Sequence, residues 1–230
     1  MGTKRFKLVP EMEGRTARWY ARQRSTPHQL EGWRRMAAEL TAGLRPGARV
    51  LEVAPGPGFL AIELARAGKV QVTGLDIGRT FVELASENAR REGVWADFVL
   101  GDVADMPFEA GCFDLIVCQA AFKNFAAPGT ALEEMHRVLR PGSAVVIQDL
   151  SRDASRADIA EEIRQQELRG LDAVLTRWIL STMLRRRAYT PGRFERLVAG
   201  SPFRRCTIRT EGIGFEARME KSPEIEAIAS

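Results

Sequence analysis

The stretch Glu52-Val53-Ala54-Pro55-Gly56-Pro57-Gly58 follows a short apolar run and opens an amphipathic segment. Glycines placed between a strand and a helix let the backbone approach a ligand closely, and the helix start offers amide N–H groups with no partner of their own. Gly56-Pro57-Gly58-Phe59-Leu60-Ala61 also fits the GxGxxA dinucleotide pattern. Asp76 lies 18 residues past Gly58, at the end of the next apolar run. A carboxylate there has two oxygens to accept the two ribose hydroxyls of an adenosine-containing cofactor. It suits NAD or an adenosyl ligand, and it disfavours NADP, whose 2′-phosphate it would repel. Asp102, in Gly101-Asp102-Val103-Ala104-Asp105, is placed to accept from an adenine amino group while the Val103 N–H faces a ring nitrogen.

Positioning these residues takes a regular alternation of elements. Strands are expected at Val50–Val53, Val70–Leu75, Phe98–Leu100, Phe113–Cys118 and Ala144–Gln148, with helices at Phe59–Ala67, Phe81–Arg91 and Ala131–Leu139 between them. The alternation signals a parallel sheet covered on both faces. The almost wholly apolar fourth strand suits its centre. Arg140-Pro141-Gly142 is expected to close the last of these helices. A helical arm covers residues 14–45, where Trp33, Met36, Ala37 and Leu40 form a stripe. After Asp149 come a charged helix at Ala157–Arg169, a strongly apolar one through Leu171, Val174, Leu175 and Trp178, and a helix capped by Thr190-Pro191. Two alternating runs about Glu211-Gly212 then read as a hairpin.

Taken together, these motifs resemble the class I S-adenosylmethionine-dependent methyltransferases. The family's acidic-x-Gly-x-Gly-x-Gly loop matches Glu52 to Gly58, its ribose acid Asp76 and its adenine acid Asp102. Phe113-Asp114-Leu115-Ile116-Val117 looks like its fourth strand, and Met135 to Gly142 its helix-to-strand turn. The resemblance covers about residues 46–150 and 190–220. It implies an α/β fold: a Rossmann-like, seven-stranded, mostly parallel sheet with a C-terminal antiparallel hairpin, an N-terminal helical arm and a helical insertion after the fifth strand. It implies one domain over 1–230, made of an arm (1–45), a cofactor-binding core (46–150), the insertion (151–189) and a C-terminal helix and hairpin (190–220). It implies S-adenosyl-L-methionine as cofactor and S-adenosyl-L-homocysteine as product, held by Glu52, Ala54, Gly56, Gly58, Asp76, Ile77, Asp102, Val103 and Gln119. Ala54 departs from the pattern: the family has glycine there, and alanine tolerates positive φ poorly.

In the family, the reaction is an in-line displacement at a sulfonium methyl, so the protein mainly aligns the nucleophile. His28 in the arm and Lys123 after the fourth strand are the candidate catalytic groups. Tyr20, together with Trp19, is placed to close over the cofactor. Strand C-termini in open α/β sheets face the ligand crevice, which makes Gln119, Lys123, Asn124 and Asp149 candidate contacts. Trp178 supplies a candidate substrate wall or a homodimer face on the insertion. His136, beside Arg137, reads as structural.

The 230 residues carry 34 basic and 30 acidic side chains, net +4, too mild a balance to imply nucleic acid. Only five of the basic residues are lysine, and the arginines are interspersed with acids. With 45% hydrophobic residues, disorder as the main state is excluded. No 18-residue apolar run and no secretory leader are legible. Three sparse cysteines, Cys112, Cys118 and Cys206, argue for a reducing, cytoplasmic setting and buried thiols. With two histidines and no CxxC or HxxxH spacing, no protein-built metal site is expected. The leading expectation is methyl transfer to a small, lipophilic acceptor such as a quinone precursor or polyketide. An RNA or protein methyltransferase is one alternative, though Gln119-Ala120-Ala121-Phe122 lacks the amide-methylating Asn-Pro-Pro-Tyr pattern. An NAD-binding oxidoreductase or a non-catalytic nucleotide-binding protein is the other.

Overall fold

A computed structural model describes residues 13–23, 27–67, 69–165 and 187–223. Its seven strands are β1 (Ala48–Val53), β2 (Val70–Asp76), β3 (Asp97–Leu100), β4 (Phe113–Gln119), β5 (Leu139–Leu150), β6 (Thr207–Glu211) and β7 (Gly214–Glu220). They form one sheet in the order β3-β2-β1-β4-β5-β7-β6. The first five run parallel to one another, and β7 runs antiparallel to both β5 and β6. The helices are α1 (Gly14–Gln23), α2 (Pro27–Thr41), α3 (Phe59–Arg66), α4 (Arg79–Arg91), α5 (Pro128–Val138), α6 (Arg156–Gln165) and α7 (Pro191–Ala199). The arm thus forms two helices.

The strand residues explain the layering. Successive side chains of a strand point to opposite faces, and the two faces of the central strands are both largely apolar. Val50, Leu115, Val117, Ala144 and Val146 therefore build a core with Leu60, Ala61 and Leu64 of α3 and Trp33 and Ala37 of α2. Leu51, Ile116, Cys118, Val145 and Ile147 build the other, with Leu132 and Met135 of α5 and Phe194 and Val198 of α7. The Thr190 hydroxyl caps α7 by accepting from the Arg193 N–H, as expected from Thr190-Pro191. Cys112 and Cys118 lie in the same core as free thiols. His136 packs edge-on against Phe203 at 5.0 Å, and burial followed by the Lys221 charge lowers its pKa.

One boundary differs from expectation. Arg140-Pro141-Gly142 does not separate helix from strand. Pairing with β4 already begins at Leu139 and shifts register before resuming at Ala144. Pro141 has no N–H to give the ladder, and Gly142 takes φ +76°, so the turn is absorbed as a bulge within the pairing. The Gly142 N–H donates to the Lys221 carbonyl at 2.8 Å, which holds the bulge beside the end of β7. The apolar helix expected through Leu171 and Trp178, and with it the candidate dimer face, lies outside the described residues.

Candidate functional site

The C-terminal ends of β1, β2 and β4 border a cleft of about 220 Å³. Glu52, Ala54 and Gly56 supply one wall, Asp76 and Ile77 the next, and Gln119 and Asn124 the third. This is the crevice at which strand order reverses, since β1 has β2 on one side and β4 on the other.

Asp76 organises the loop. Its Oδ2 accepts from the Gly56 N–H at 3.0 Å and its Oδ1 from the Gly78 N–H at 2.8 Å. Each oxygen keeps a further lone pair for a ligand hydroxyl. Burial raises its pKa against the pull of the Gly78 and Gly56 amides. Gly58 is the N-cap residue of α3 at φ +81°, and a Cβ there would stand 2.8 Å from the Ala85 Cβ. Glycine is required at that position both for conformation and for space. Gly56 takes φ +56°, and a Cβ added to it would meet nothing within 4 Å, so the cradle stays open.

Two alanines carry backbone strain beside this cradle. Ala54 and Ala120, following β1 and β4, both have φ +56°. Both line the cleft. Their amides hold the conformations in place: the Ala54 N–H donates to the Leu75 carbonyl and the Ala120 N–H to the Gln148 carbonyl, each at 2.7 Å. Left-handed backbone costs a non-glycine residue about 1–2 kcal/mol. Such strain persists where the surroundings over-determine it, commonly at binding sites.

Glu52 is the most unusual group in the cleft. It is buried, and its Oε2 has no hydrogen-bond partner. Burial pushes its pKa up to about 8; the Ala61 amide opposes the shift and the Asp76 charge adds to it. A buried carboxyl with an unused oxygen beside a cleft is suited to a cationic ligand.

Glu52, Ala54, Gly56, Asp76, Ile77, Gln119, Asn124 and Tyr20 come together around the cleft. Tyr20 reaches it from α1 and packs edge-on against Phe81, centroids 6.0 Å apart. Trp19 does not close over the cleft: it faces outward on α1 and is 54% exposed. Asp102 and Val103 stand on the adjoining loop, which the Gly101 N–H ties to the Asp76 carbonyl at 2.9 Å. Asp102 is exposed and its Oδ1 already accepts from the Ala104 N–H, so it does not line the cleft. The Val103 side chain packs against the core.

Lys123 and Asp149 are corrected more sharply. The Lys123 ammonium lies 2.6 Å from Asp149 Oδ1, with side-chain exposures of 4% and 2%. It also donates to the Ala120 carbonyl at 2.6 Å. Asp149 Oδ2 accepts from the Lys123 N–H, and Oδ1 from the Leu150 N–H. Both groups are spent on each other and on backbone; neither presents a free charge to a substrate. His28 is the second residue of α2, but its side chain, like Trp178, lies outside the described residues.

Residues missed in the sequence include Phe81 and Phe125, which add aromatic wall to the cleft. Glu13 was missed as well. It accepts from the Thr80 N–H at 3.1 Å and from its hydroxyl, while Thr80 Oγ1 accepts from the Gly14 N–H at 3.0 Å. The arm thereby caps α4, whose own N-cap residue, Gly78, has no side chain to do so. No local pattern announces a contact across 67 positions.

A larger groove of about 440 Å³ lies under α1, against α3 and α4. It holds less chemistry than its size suggests. Three of its arginines pair with acids: Arg34 and Arg66 with Glu63, Arg66 with Glu92, and Arg91 with Glu87.

Comparison with known proteins agrees with this geometry. Residues 51–147 match the family described as a methyltransferase domain. The demethylmenaquinone methyltransferase of Deinococcus radiodurans is 38% identical over 125 residues, 54% of this chain and 52% of the relative. The 2-phytyl-1,4-naphtoquinone methyltransferase of Synechococcus elongatus is 35% identical over 132 residues, 56% of this chain and 55% of the relative. The chain thus spans about half the length of the curated relatives it matches. A solved structure from Methanococcus maripaludis, described as a putative S-adenosyl-L-methionine-dependent methyltransferase, superposes with a TM-score of 0.74 at 20% identity, covering 97% of this chain and 100% of that one. Residues 51–147 are thus similar to a methyltransferase domain, and the chain shares its fold with that solved structure.

Proposed function

We propose that this protein transfers a methyl group from S-adenosylmethionine to a lipophilic small molecule with a quinone-like ring. The observation that carries the cofactor half is the pair of buried acids, Glu52 and Asp76, flanking the open Gly56 turn. Asp76 keeps two lone pairs for ribose hydroxyls, and Glu52 keeps an unpartnered oxygen for the cationic end of the ligand. When bound, that cofactor supplies an electrophilic methyl and its own leaving group. The chain's own residues hold, orient and exclude water. Tyr20, Phe81 and Phe125 supply apolar wall.

The acceptor half follows from what lines the cleft. Among the described residues there, the ionisable groups are Glu52, Asp76 and Tyr20, with no lysine, arginine or histidine. That lining suits an acceptor whose nucleophile is already competent, as an ionisable quinol or its electron-rich ring carbon is. The quinone-methylating relatives support the same class. The sheet order supports the methyltransferase reading over an NAD-binding oxidoreductase. A dinucleotide-binding sheet runs 3-2-1-4-5-6 and is mostly parallel, whereas here β7 lies antiparallel next to β5.

The test is thermal unfolding with each cofactor. S-adenosylmethionine at a hundred times its Kd is expected to stabilise the protein by about 2.7 kcal/mol, and NAD by nothing measurable. Equal shifts with both, or a shift with NAD alone, would remove the reading.

Glu52 adds a pH dependence. Its pKa in the folded protein, about 8, lies above its ordinary 4.5. The folded state therefore holds a proton that the unfolded state releases, and stability falls as pH rises from about 4.5 to about 8. A cationic ligand favours the ionised form, so binding should release a proton and tighten toward pH 8. Glu52→Gln should flatten both trends. Affinity unchanged between about pH 6 and pH 8, measured by calorimetry in buffers of different ionisation heat, would contradict this role.

A further inference from the structure

Burying an ion pair adds little to stability, because desolvation offsets the attraction. The neighbours of Lys123 and Asp149 show what else the pair does. The chain leaves β4 through Ala120, which holds a left-handed φ of +56° that alanine resists. It then makes a 3-10 turn at Phe122–Asn124. Hydrogen bonds from the pair hold this turn. The Lys123 ammonium donates to the Ala120 carbonyl and to Asp149 Oδ1, each at 2.6 Å. The Lys123 N–H donates to Asp149 Oδ2 at 2.9 Å, and the Ala120 N–H to the Gln148 carbonyl at 2.7 Å. Phe122 anchors the turn in the core, its ring centre 5.2 Å from those of Phe125 and Phe194. Residues of the same segment form one wall of the cleft: Gln119, Ala120, Asn124 and Phe125. The Lys123 side chain is 4% exposed and is no part of that wall.

We infer that Lys123 and Asp149 are positioning residues for the methyl acceptor: they hold the Gln119–Phe125 segment as the wall on which the acceptor lies. The inference rests on the proposed function. Strand order supplies the direction. Asp76 ends β2 and Glu52 lies one residue from the end of β1, and the next strand in the sheet is β4. A ligand with its ribose at Asp76 and its cationic end toward Glu52 runs from β2 toward β4. The segment that follows β4 then borders the methyl to be transferred. In-line attack needs the reacting atoms about 3–3.5 Å apart, and a misplacement of about 1 Å costs on the order of a hundredfold. A turn that starts from a strained alanine keeps that precision only when its surroundings over-determine it. The Lys123 ammonium does so at the Ala120 carbonyl, and Asp149 does so at the Lys123 N–H, one residue before Asn124. Neither side chain touches the acceptor; both act through the backbone that carries Ala120 and Asn124.

The test compares the full-length wild type with Lys123→Met, with rates expressed per intact site as counted by S-adenosylhomocysteine titration. For a reduced short-chain demethyl naphthoquinol, kcat/KM should fall on the order of a hundredfold, while the S-adenosylhomocysteine Kd stays within about threefold. A purely structural pair would lower the number of intact sites and leave kcat/KM per site unchanged; that result, or an equal loss of cofactor affinity, would overturn the inference. Adding Ala120→Gly to Lys123→Met should restore about tenfold, because glycine holds a positive φ without help. No recovery would show that the ammonium does not act through Ala120. If Lys123→Met does not fold, Lys123→Met with Asp149→Asn, which leaves no charge buried, carries the same comparison. Hydrogen exchange separates the two claims. The amides of residues 120–125 should exchange at least about tenfold faster in the variant, with those of Ala54, Gly56 and Gly58 unchanged. A wild type that transfers nothing while the 120–125 amides respond sinks the functional reading and leaves the held wall standing; transfer with those amides unmoved sinks the positioning pair alone.

Discussion

Asp76→Ala is expected to weaken S-adenosylhomocysteine binding by at least about a hundredfold. The side chain does two jobs at once. Its oxygens accept the Gly56 and Gly78 N–H groups, which sets the glycine turn and the start of α4 relative to each other. Their remaining lone pairs are the proposed ribose acceptors. A hydrogen bond to a charged group is worth about 1.5–3 kcal/mol, and losing two reaches that hundredfold before any loosening of the loop. Asparagine is no rescue. Its amide nitrogen would point a donor at one of two backbone donors, so Asp76→Asn should fall near alanine and far from wild type. Calorimetric titration reads the ordering directly. An Asp76→Ala Kd within about threefold of wild type would show that the ribose lies elsewhere.

Lys123→Met is expected to destabilise the fold by about 3–5 kcal/mol, because it leaves a buried carboxylate without its counter-charge. Asp149 remains in place with the Lys123 and Leu150 N–H groups and no cation. Adding Asp149→Asn removes the stranded charge, and its single carbonyl oxygen serves one of the two amides. The double variant should therefore recover part of the loss, a coupling that a double-mutant cycle isolates. Urea unfolding with unchanged slope is the measurement. The alternative role for Lys123, a direct substrate contact, makes the opposite forecast: lost turnover in Lys123→Met with stability intact.

These two residues also mark where sequence reading stops. Asp76 is legible because its position is set by local order: β2 ends on this acid and pairs with β1 in a register that buries Val72 and Leu75. The parallel sheet and terminal hairpin are legible for the same reason, since alternation of apolar runs with turn residues carries the topology. Lys123 is correctly placed at a strand terminus. Its partner cannot be read, because Asp149 is 26 residues away and meets it only through the β4–β5 register. Asp102 is correctly placed on the loop beside Asp76, but its turn toward the Ala104 N–H depends on a local bridge to Asp105. The Glu13–Thr80 cap joins the arm to α4 with no sequence signal at all. Ala54 runs the other way: expected to tolerate positive φ poorly, it adopts φ +56° nonetheless, because the Ala54 amide is held by Leu75.

The most direct measurement is transfer itself. Wild-type protein is incubated with S-adenosylmethionine labelled at the methyl carbon and a reduced short-chain demethyl naphthoquinol, and the organic extract is counted. Label in the extract, absent with Asp76→Ala and with acceptor omitted, is the expected result. Tight cofactor binding with no label reaching the quinol, under conditions where the protein is folded, would contradict the proposed function.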